Sequence, residues 1–182
     1  MHPWHDIDIS EDQLGDGFPV IIEIPTGSKN KYELDKSTGI LRLDRVLYGA
    51  LHYPANYGFI PRTFCDDGDP LDVLVLGQEP VQPMTLLLAR PIGVMHMCDE
   101  GQADDKIIAV NLHDPAVRGI QGIDDLPDYI MAEIQKFFAE YKDLEEKEVA
   151  VDNIQGPQTA IDIIRDALDL YRRVIAPQRN SS

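Results

Sequence analysis

Cysteine is scarce: Cys65 and Cys98 are the only two in 182 residues, too few for a disulfide framework and in keeping with a reducing, cytoplasmic setting. No apolar run approaches the roughly 18 to 20 residues that a membrane-spanning helix needs. The longest are pieces such as Val73-Leu74-Val75-Leu76 and Leu86-Leu87-Leu88-Ala89, so no membrane span is expected. The opening Met1-His2-Pro3-Trp4-His5-Asp6 has neither the basic segment nor the apolar core of a secretion signal. Positive charge is short as well, with 16 Lys and Arg against 32 Asp and Glu and a formal net charge of −16. Affinity for DNA or RNA comes largely from neutralising phosphates with Lys and Arg, so general nucleic-acid binding is not expected. Internal repeats, low-complexity stretches and a dividing linker are missing too. An apolar fraction of 43% at this length predicts one domain over residues 1–182 with an ordinary buried core.

Periodicity divides the chain in two. Phe18 to Pro25 is a short apolar run closed by proline, and Lys31 to Leu34 and Ile40 to Val46 flank a Lys36-Ser37-Thr38-Gly39 turn, which predicts a strand followed by a hairpin. Asp72 to Leu76, Thr85 to Arg90, Ile92 to Met97 and Lys106 to Leu112 continue as short strands between Gly, Pro and Asp. From Pro127 the period changes: Ile130, Ile134, Phe137, Phe138 and Tyr141 recur at steps of three and four, an amphipathic helix. A second helix follows Gly156-Pro157, with Ile161, Ile164, Leu168, Tyr171 and Ile175 on one face, and Pro177 is expected to end it. Strands closed on themselves with helices outside, an α+β barrel-like domain, is the economical arrangement.

The acidic residues are bunched. Asp66, Asp67, Asp69 and Asp72 place four carboxylates in seven residues with no cation among them, in a tight turn made by Gly68 and Pro70 that leads into an apolar strand. Two like charges about 4 Å apart cost on the order of 4 kcal/mol at an effective dielectric near 20, so such a cluster calls for protons or cations. Hard oxygen ligands favour Mg²⁺, Mn²⁺ or Ca²⁺. A second cluster, Asp99, Glu100, Asp104 and Asp105, precedes another strand, and two such loops at the ends of neighbouring strands could serve two or more ions. An EF-hand starting at Asp67 fails because Leu71 and Asp72 stand where Asp or Asn and then Gly are required. An aspartyl-phosphate phosphatase places its nucleophile after the apolar strand, whereas here the strand follows. Zinc is disfavoured because His96 and Cys98 lack a second pair, which leaves both as strand residues packing in the core. Among the cations, Lys31 and Arg45 lie on the hairpin that can aim them beside the acidic loops, with Arg offering a bidentate fork to phosphate and Lys a point charge.

These residues resemble the soluble family I inorganic pyrophosphatases. Asp67-Gly68-Asp69-Pro70-Leu71-Asp72-Val73 fits that family's acidic signature in full. In matching order come Glu23, Lys31-Tyr32-Glu33, Asp44-Arg45, Tyr53-Pro54, Asn56-Tyr57-Gly58, Asp99-Glu100, Asp104-Asp105-Lys106 and Tyr141-Lys142-Asp143-Leu144-Glu145. The resemblance implies an OB-type five-stranded closed β-barrel with additional strands and two main α-helices packed outside. It also implies Mg²⁺-dependent hydrolysis of pyrophosphate to two phosphates, with two or more ions per site and Mn²⁺ or Zn²⁺ as substitutes. By position, Asp67, Asp72 and Asp104 would ligate the tightly bound metal, and Glu23 and Asp99 would line the site for metal arriving with substrate. Lys31, Arg45, Tyr57, Lys106, Tyr141 and Lys142 would bind substrate, Glu33 and Tyr53 would support them, and Asp69 would be the general base toward a water bridging two metals. A hexameric homo-oligomer is expected on the same ground. The rival readings are a divalent-metal-binding barrel without turnover and a phosphatase for another small phosphate compound. The segment after Val151 departs from the family in lacking a tryptophan that many relatives carry, and the only tryptophan is Trp4, which bears on packing of the last helix.

Overall fold

The structure, a computed structural model, describes residues 1–99, 101–141 and 149–179, with the backbone alone at 99, 149 and 150. Its strands are β1 (Phe18–Ile24), β2 (Asn30–Leu34), β3 (Leu41–Val46), β4 (Asn56–Phe59), β5 (Asp72–Leu76), β6 (Leu86–Asp99), β7 (Gln102–Ala103), β8 (Lys106–Asn111) and β9 (Val149–Gln155). The helices are α1 (Asp128–Glu140), α2 (Pro157–Val174) and the four-residue α3 (Ala176–Arg179).

Five strands close a ring in the order β1-β4-β5-β8-β6, with β6 returning to pair with β1. Every neighbour in the ring is antiparallel except β5 and β8, which run parallel with Asp72 beside Lys106 and Leu76 beside Val110. This ring with its two long helices is the OB-type barrel of an α+β fold. β9 extends the sheet along the far half of β6, while β2 and β3 form a separate two-stranded sheet.

Alternation along the ring strands feeds two apolar clusters. Val73 and Val75 of β5 with Ile107 and Ala109 of β8 pack toward Ile164 and Leu168 of α2. Leu74, Leu76, Ile108 and Val110 join Ile134, Phe137 and Phe138 of α1. Strands buried on both faces read as continuous apolar runs, and each fully buried side chain of this size contributes about 1.5–3 kcal/mol. Pro127 stands at the N-cap of α1, and Asp128 in its first turn favours the positive end of the helix dipole. Pro157 opens α2, and Arg172 and Arg173 sit in its last turn. Among the described residues no helix is long and apolar enough to cross a membrane.

Several local expectations change. Thr85–Arg90 and Ile92–Met97 are not two strands but one, because Pro91 falls at a register shift where its missing N–H leaves no gap in the ladder. Gly93 makes the crossing there possible: a Cβ would lie 2.6 Å from the carbonyl oxygen of Gln155 in β9. β4 and β9 escape detection by pattern, β4 being four residues long and β9 carrying Asp152 and Asn153. Gly58 allows β4 to press against β1, since a Cβ there would come within 1.9 Å of the Ile21 carbonyl oxygen. Pro177 does not close the last helix but lies inside α3, after α2 has ended. His96 and Cys98 are not in the core, because the two-residue period of β6 turns them to its partly exposed side while Met95 and Met97 go inward. The last helix does receive a tryptophan: Trp4, 4% exposed, packs edge-on to Tyr171 of α2 at 5.9 Å, and its indole N–H donates to Thr63 O at 2.8 Å.

Candidate active site

Parallel pairing of β5 with β8 determines where the carboxylates meet. Each acidic loop precedes one of these strands, so both loops end at the same edge of the barrel. The first loop is a closed turn, with Cys65 N–H donating to Asp69 O at 2.8 Å and Gly68 N–H to Cys65 O at 3.0 Å. Gly68 stands at φ +90°, a left-handed conformation that a glycine adopts without cost. The buried Thr63 hydroxyl pins the base of the loop by donating to Ile60 O at 2.6 Å and accepting from Leu71 N–H at 2.8 Å.

Opposite stands the β2–β3 hairpin, whose register sets Lys31 beside Arg45. Between hairpin and barrel lies a cavity of about 390 Å³. Glu23, Asp67, Asp69, Asp72 and Asp104 line it with carboxylates, Lys31, Lys36, Arg42, Arg45 and Lys106 line it with cations, and Tyr53, Tyr57 and Tyr141 are among its aromatic lining residues. Asp67, Asp72 and Asp104 also back onto a wider cleft of about 780 Å³ along α2, but Lys31, Arg45 and Asp69 face only the smaller space.

Lys106 is the electrostatic centre. It is 2% exposed, and its Nζ donates to Asp72 Oδ2 and to Asp104 Oδ1, each at 2.5 Å. Burial pushes its pKa down, yet the Asp72 and Asp104 carboxylates outweigh burial and hold the ammonium above the ordinary lysine range. The Tyr57 and Phe138 rings lie 5.7 and 6.0 Å from the same nitrogen. Glu23, 8% exposed, is pushed up to about 8 by burial and then by the nearby Asp72 charge, although Leu34 N–H donates to its Oε1 at 2.8 Å. Asp67 is raised by burial and by Asp69, Asp72 and Asp104, against the Asp69 N–H that it accepts at 3.0 Å. On the hairpin, Asp44 bridges the two cations: Arg45 Nε donates to its Oδ2 at 2.7 Å and Lys31 Nζ at 3.4 Å, and together they overcome burial and lower its pKa. Glu33 pairs with Lys31 and with Arg42. Burial pushes the phenols of Tyr53 and Tyr57 well above the usual range, so both remain neutral donors.

Of the residues singled out from sequence, Glu23, Lys31, Glu33, Arg45, Tyr53, Tyr57, Asp67, Asp69, Asp72, Asp104, Lys106 and Tyr141 all line this one cavity. Asp99 ends β6 and pairs with Gln102 and Val149 through its backbone, and Lys142 and Glu100 lie outside the described residues. Pattern alone missed Lys36, whose Nζ reaches Gly68 O at 2.9 Å and the Asp69 carboxylate. Asn56, named only within the family match, is 1% exposed and ties loops outside the cavity lining, accepting from Thr26 and Val81 N–H and donating to Glu79 O. An Asn opening a Tyr-Gly strand gave no periodic signal, and Lys36 read as a turn residue.

The donor set suits a hard divalent cation, since every anionic atom on this wall is a carboxylate oxygen and two carboxylates already converge on a positive charge. Among the described residues no three His, Cys, Asp or Glu side chains form a closed metal-holding group; Lys106 occupies the point where Asp72 and Asp104 meet.

Residues 20–172 match the family model for inorganic pyrophosphatase. The chain is 51% identical over 178 residues to soluble inorganic pyrophosphatase 2 of Chlamydomonas reinhardtii, covering 98% of this chain and 92% of that one. It is 53% identical over 174 residues to soluble inorganic pyrophosphatase PPA1 of Solanum tuberosum, covering 96% and 82%. The crystal structure of inorganic pyrophosphatase from Thermus thermophilus superposes with a TM-score of 0.88 at 39% identity, over 93% of this chain and 99% of the other. With the sequence match running through both acidic loops and the hairpin, and the barrel superposing nearly end to end, the chain belongs to the soluble family I inorganic pyrophosphatases.

Proposed function

We propose that the chain hydrolyses inorganic pyrophosphate to two orthophosphates in the cavity beneath the β2–β3 hairpin, with Mg²⁺ as its metal. The observation that carries this reading is the meeting of a carboxylate wall and a Lys31–Arg45 cationic wall across one small cavity. A store for metal has no need of the second wall. Asp67, Asp72 and Asp104 would hold one ion, and Glu23 and Asp99 would line a second position that Asp72 also reaches. Bound divalent metal supplies neutralising charge and Lewis acidity toward phosphoryl oxygens, and Mn²⁺ or Zn²⁺ would substitute.

The chain's own groups do the rest. Lys31, Arg45, Tyr57, Tyr141 and Lys142 grip the phosphates. Lys106 with Glu33 and Tyr53 keeps the charge network in place. Asp69 orients the attacking water and takes its proton as a new P–O bond forms and the bond to the bridging oxygen breaks. Lys31 and Arg45 then receive the charge that gathers on the departing phosphate. This reading treats residues 1–182 as one domain acting as a homo-oligomer, a hexamer by family resemblance, in the cytoplasm and away from nucleic acid and membrane; the acidic charge balance argues against nucleic acid, and the two free cysteines fit a reducing compartment. Sedimentation showing only a single-chain species would reject the oligomer.

The test is phosphate release from pyrophosphate by purified protein with Mg²⁺, with excess EDTA, and with a simple phosphate monoester in place of pyrophosphate. Fast release that needs Mg²⁺ and spares the monoester is expected. Metal binding without release would return the barrel to a binding module.

A further inference from the structure

The tip of the β2–β3 hairpin makes a contact that none of these roles uses. Asp35 builds the turn: its Oδ1 accepts from Ser37 N–H at 3.0 Å, the Ser37 hydroxyl at 2.6 Å and Thr38 N–H at 2.9 Å, while Gly39 N–H closes on Asp35 O at 2.8 Å. Such a network fixes a turn. The residue it presents is Lys36, whose Nζ crosses to the first acidic loop and donates to Gly68 O at 2.9 Å and to Asp69 Oδ1. The Asp69 backbone is held by the turn, its N–H by Asp67 Oδ1 at 3.0 Å and its carbonyl oxygen by Cys65 N–H at 2.8 Å, and its carboxylate is held by Lys36. Bonding through Oδ1 leaves Oδ2 for a proton.

We propose that Lys36 is a positioning residue for pyrophosphate hydrolysis, fixing the Asp69 carboxylate relative to the hairpin that carries Lys31 and Arg45. The inference rests on the reading of Asp69 as the base. Three features favour positioning over mere adhesion. Lys36 and Asp69 are 43% and 56% exposed, and an exposed pair of this kind adds little to stability. Lys36 shares the cavity with Asp69 and the phosphate-holding cations, so its contact lies within the reacting space. Finally, among the described residues β2 and β3 pair with each other and with no strand of the ring, so the distance from the cationic wall to the base depends on ties such as this one. A displaced base lowers the rate of proton transfer without loosening the substrate.

The test is a double-mutant cycle on the full-length protein with Mg²⁺ and pyrophosphate: wild type, Lys36→Met, Asp69→Asn and the double variant, with Lys36→Arg as the conservative check. Lys36→Met should lower kcat about tenfold with KM within about twofold and Tm unchanged, and Lys36→Arg should recover most of that loss. In the Asp69→Asn background Lys36→Met should cost nothing further, because the group it positions is gone. Losses that multiply in the double variant, a raised KM with kcat intact, or a Lys36→Met kcat within about twofold of wild type would each overturn the proposal. Asp69→Asn on its own reports on the base: near-wild-type kcat in that single variant would remove the base assignment and this inference with it, whereas a large loss there with an additive cycle removes only the role of Lys36.

Discussion

Lys106→Met leaves the apolar stem of the side chain and deletes the charge that Asp72 and Asp104 share. Both carboxylate oxygens lie 2.5 Å from Nζ, so they are at most about 5 Å apart; at an effective dielectric near 20 their bare repulsion is about 3 kcal/mol. Breaking a buried ion pair by removing one partner costs about 3–5 kcal/mol in general, and the two figures agree. In EDTA the variant should therefore lose roughly 3–5 kcal/mol of unfolding free energy in urea, near 10 °C in Tm for a chain of this size. Excess Mg²⁺ should return part of the loss, because a cation can take the place between the carboxylates. Adding Asp104→Asn should return part of it without metal, since one of the two repelling charges is then absent. A Lys106→Met protein within about 1 kcal/mol of wild type in EDTA would refute the view that this lysine is the internal counter-ion of the site.

Other expectations follow from single features. Arg45→Lys keeps the charge but loses the planar fork held by Asp44 Oδ2 at 2.7 Å, so KM for pyrophosphate should rise several-fold while Tm changes little, which steady-state kinetics and calorimetry would read together. Gly58→Ala puts a Cβ 1.9 Å from the Ile21 carbonyl oxygen and should cost about 2–4 kcal/mol by parting β1 from β4; chemical denaturation at wild-type stability would contradict that. His5, 8% exposed with Nδ1 2.7 Å from the Tyr171 hydroxyl, is lowered to about 4 by burial and then by Arg179. A depressed histidine stabilises the fold above pH 6.5, and that contribution is lost as pH falls from 6.5 toward 4, on the order of 1 kcal/mol per pH unit. His5→Gln should flatten this stretch of the Tm profile, and parallel profiles would dismiss the assignment.

Much of the site was readable because its chemistry is local: four carboxylates in one turn, and Lys31 and Arg45 on either arm of one hairpin, announce themselves by spacing. What spacing could not carry was the pairing that unites them. β5 and β8 run parallel because a single strand, β6, intervenes along the chain and returns it to the same edge, and Pro91 makes β6 look like two strands. Likewise the burial of Lys106 was invisible, since a lysine opening a strand looks the same whether solvent or two aspartates receive it. Lys36 was hidden for the opposite reason. Its neighbours Ser37, Thr38 and Gly39 signal a turn so strongly that the side chain's reach across the cavity had no local trace.

The parallel pairing also has a bearing on how the chain acquires its chemistry. Asp72 and Lys106 stand side by side although β6 and its flanking loops separate them along the chain, so their contact forms after the hairpins of adjacent strands, whose shorter loops close at lower cost. A nascent polypeptide that has made only its early antiparallel hairpins holds one acidic turn without the lysine or the second turn that completes it. Capture of metal should then follow hairpin formation rather than guide it, and uptake of metal from a chelating dye, read by stopped flow, should lag behind the first burial of the barrel's aromatic residues.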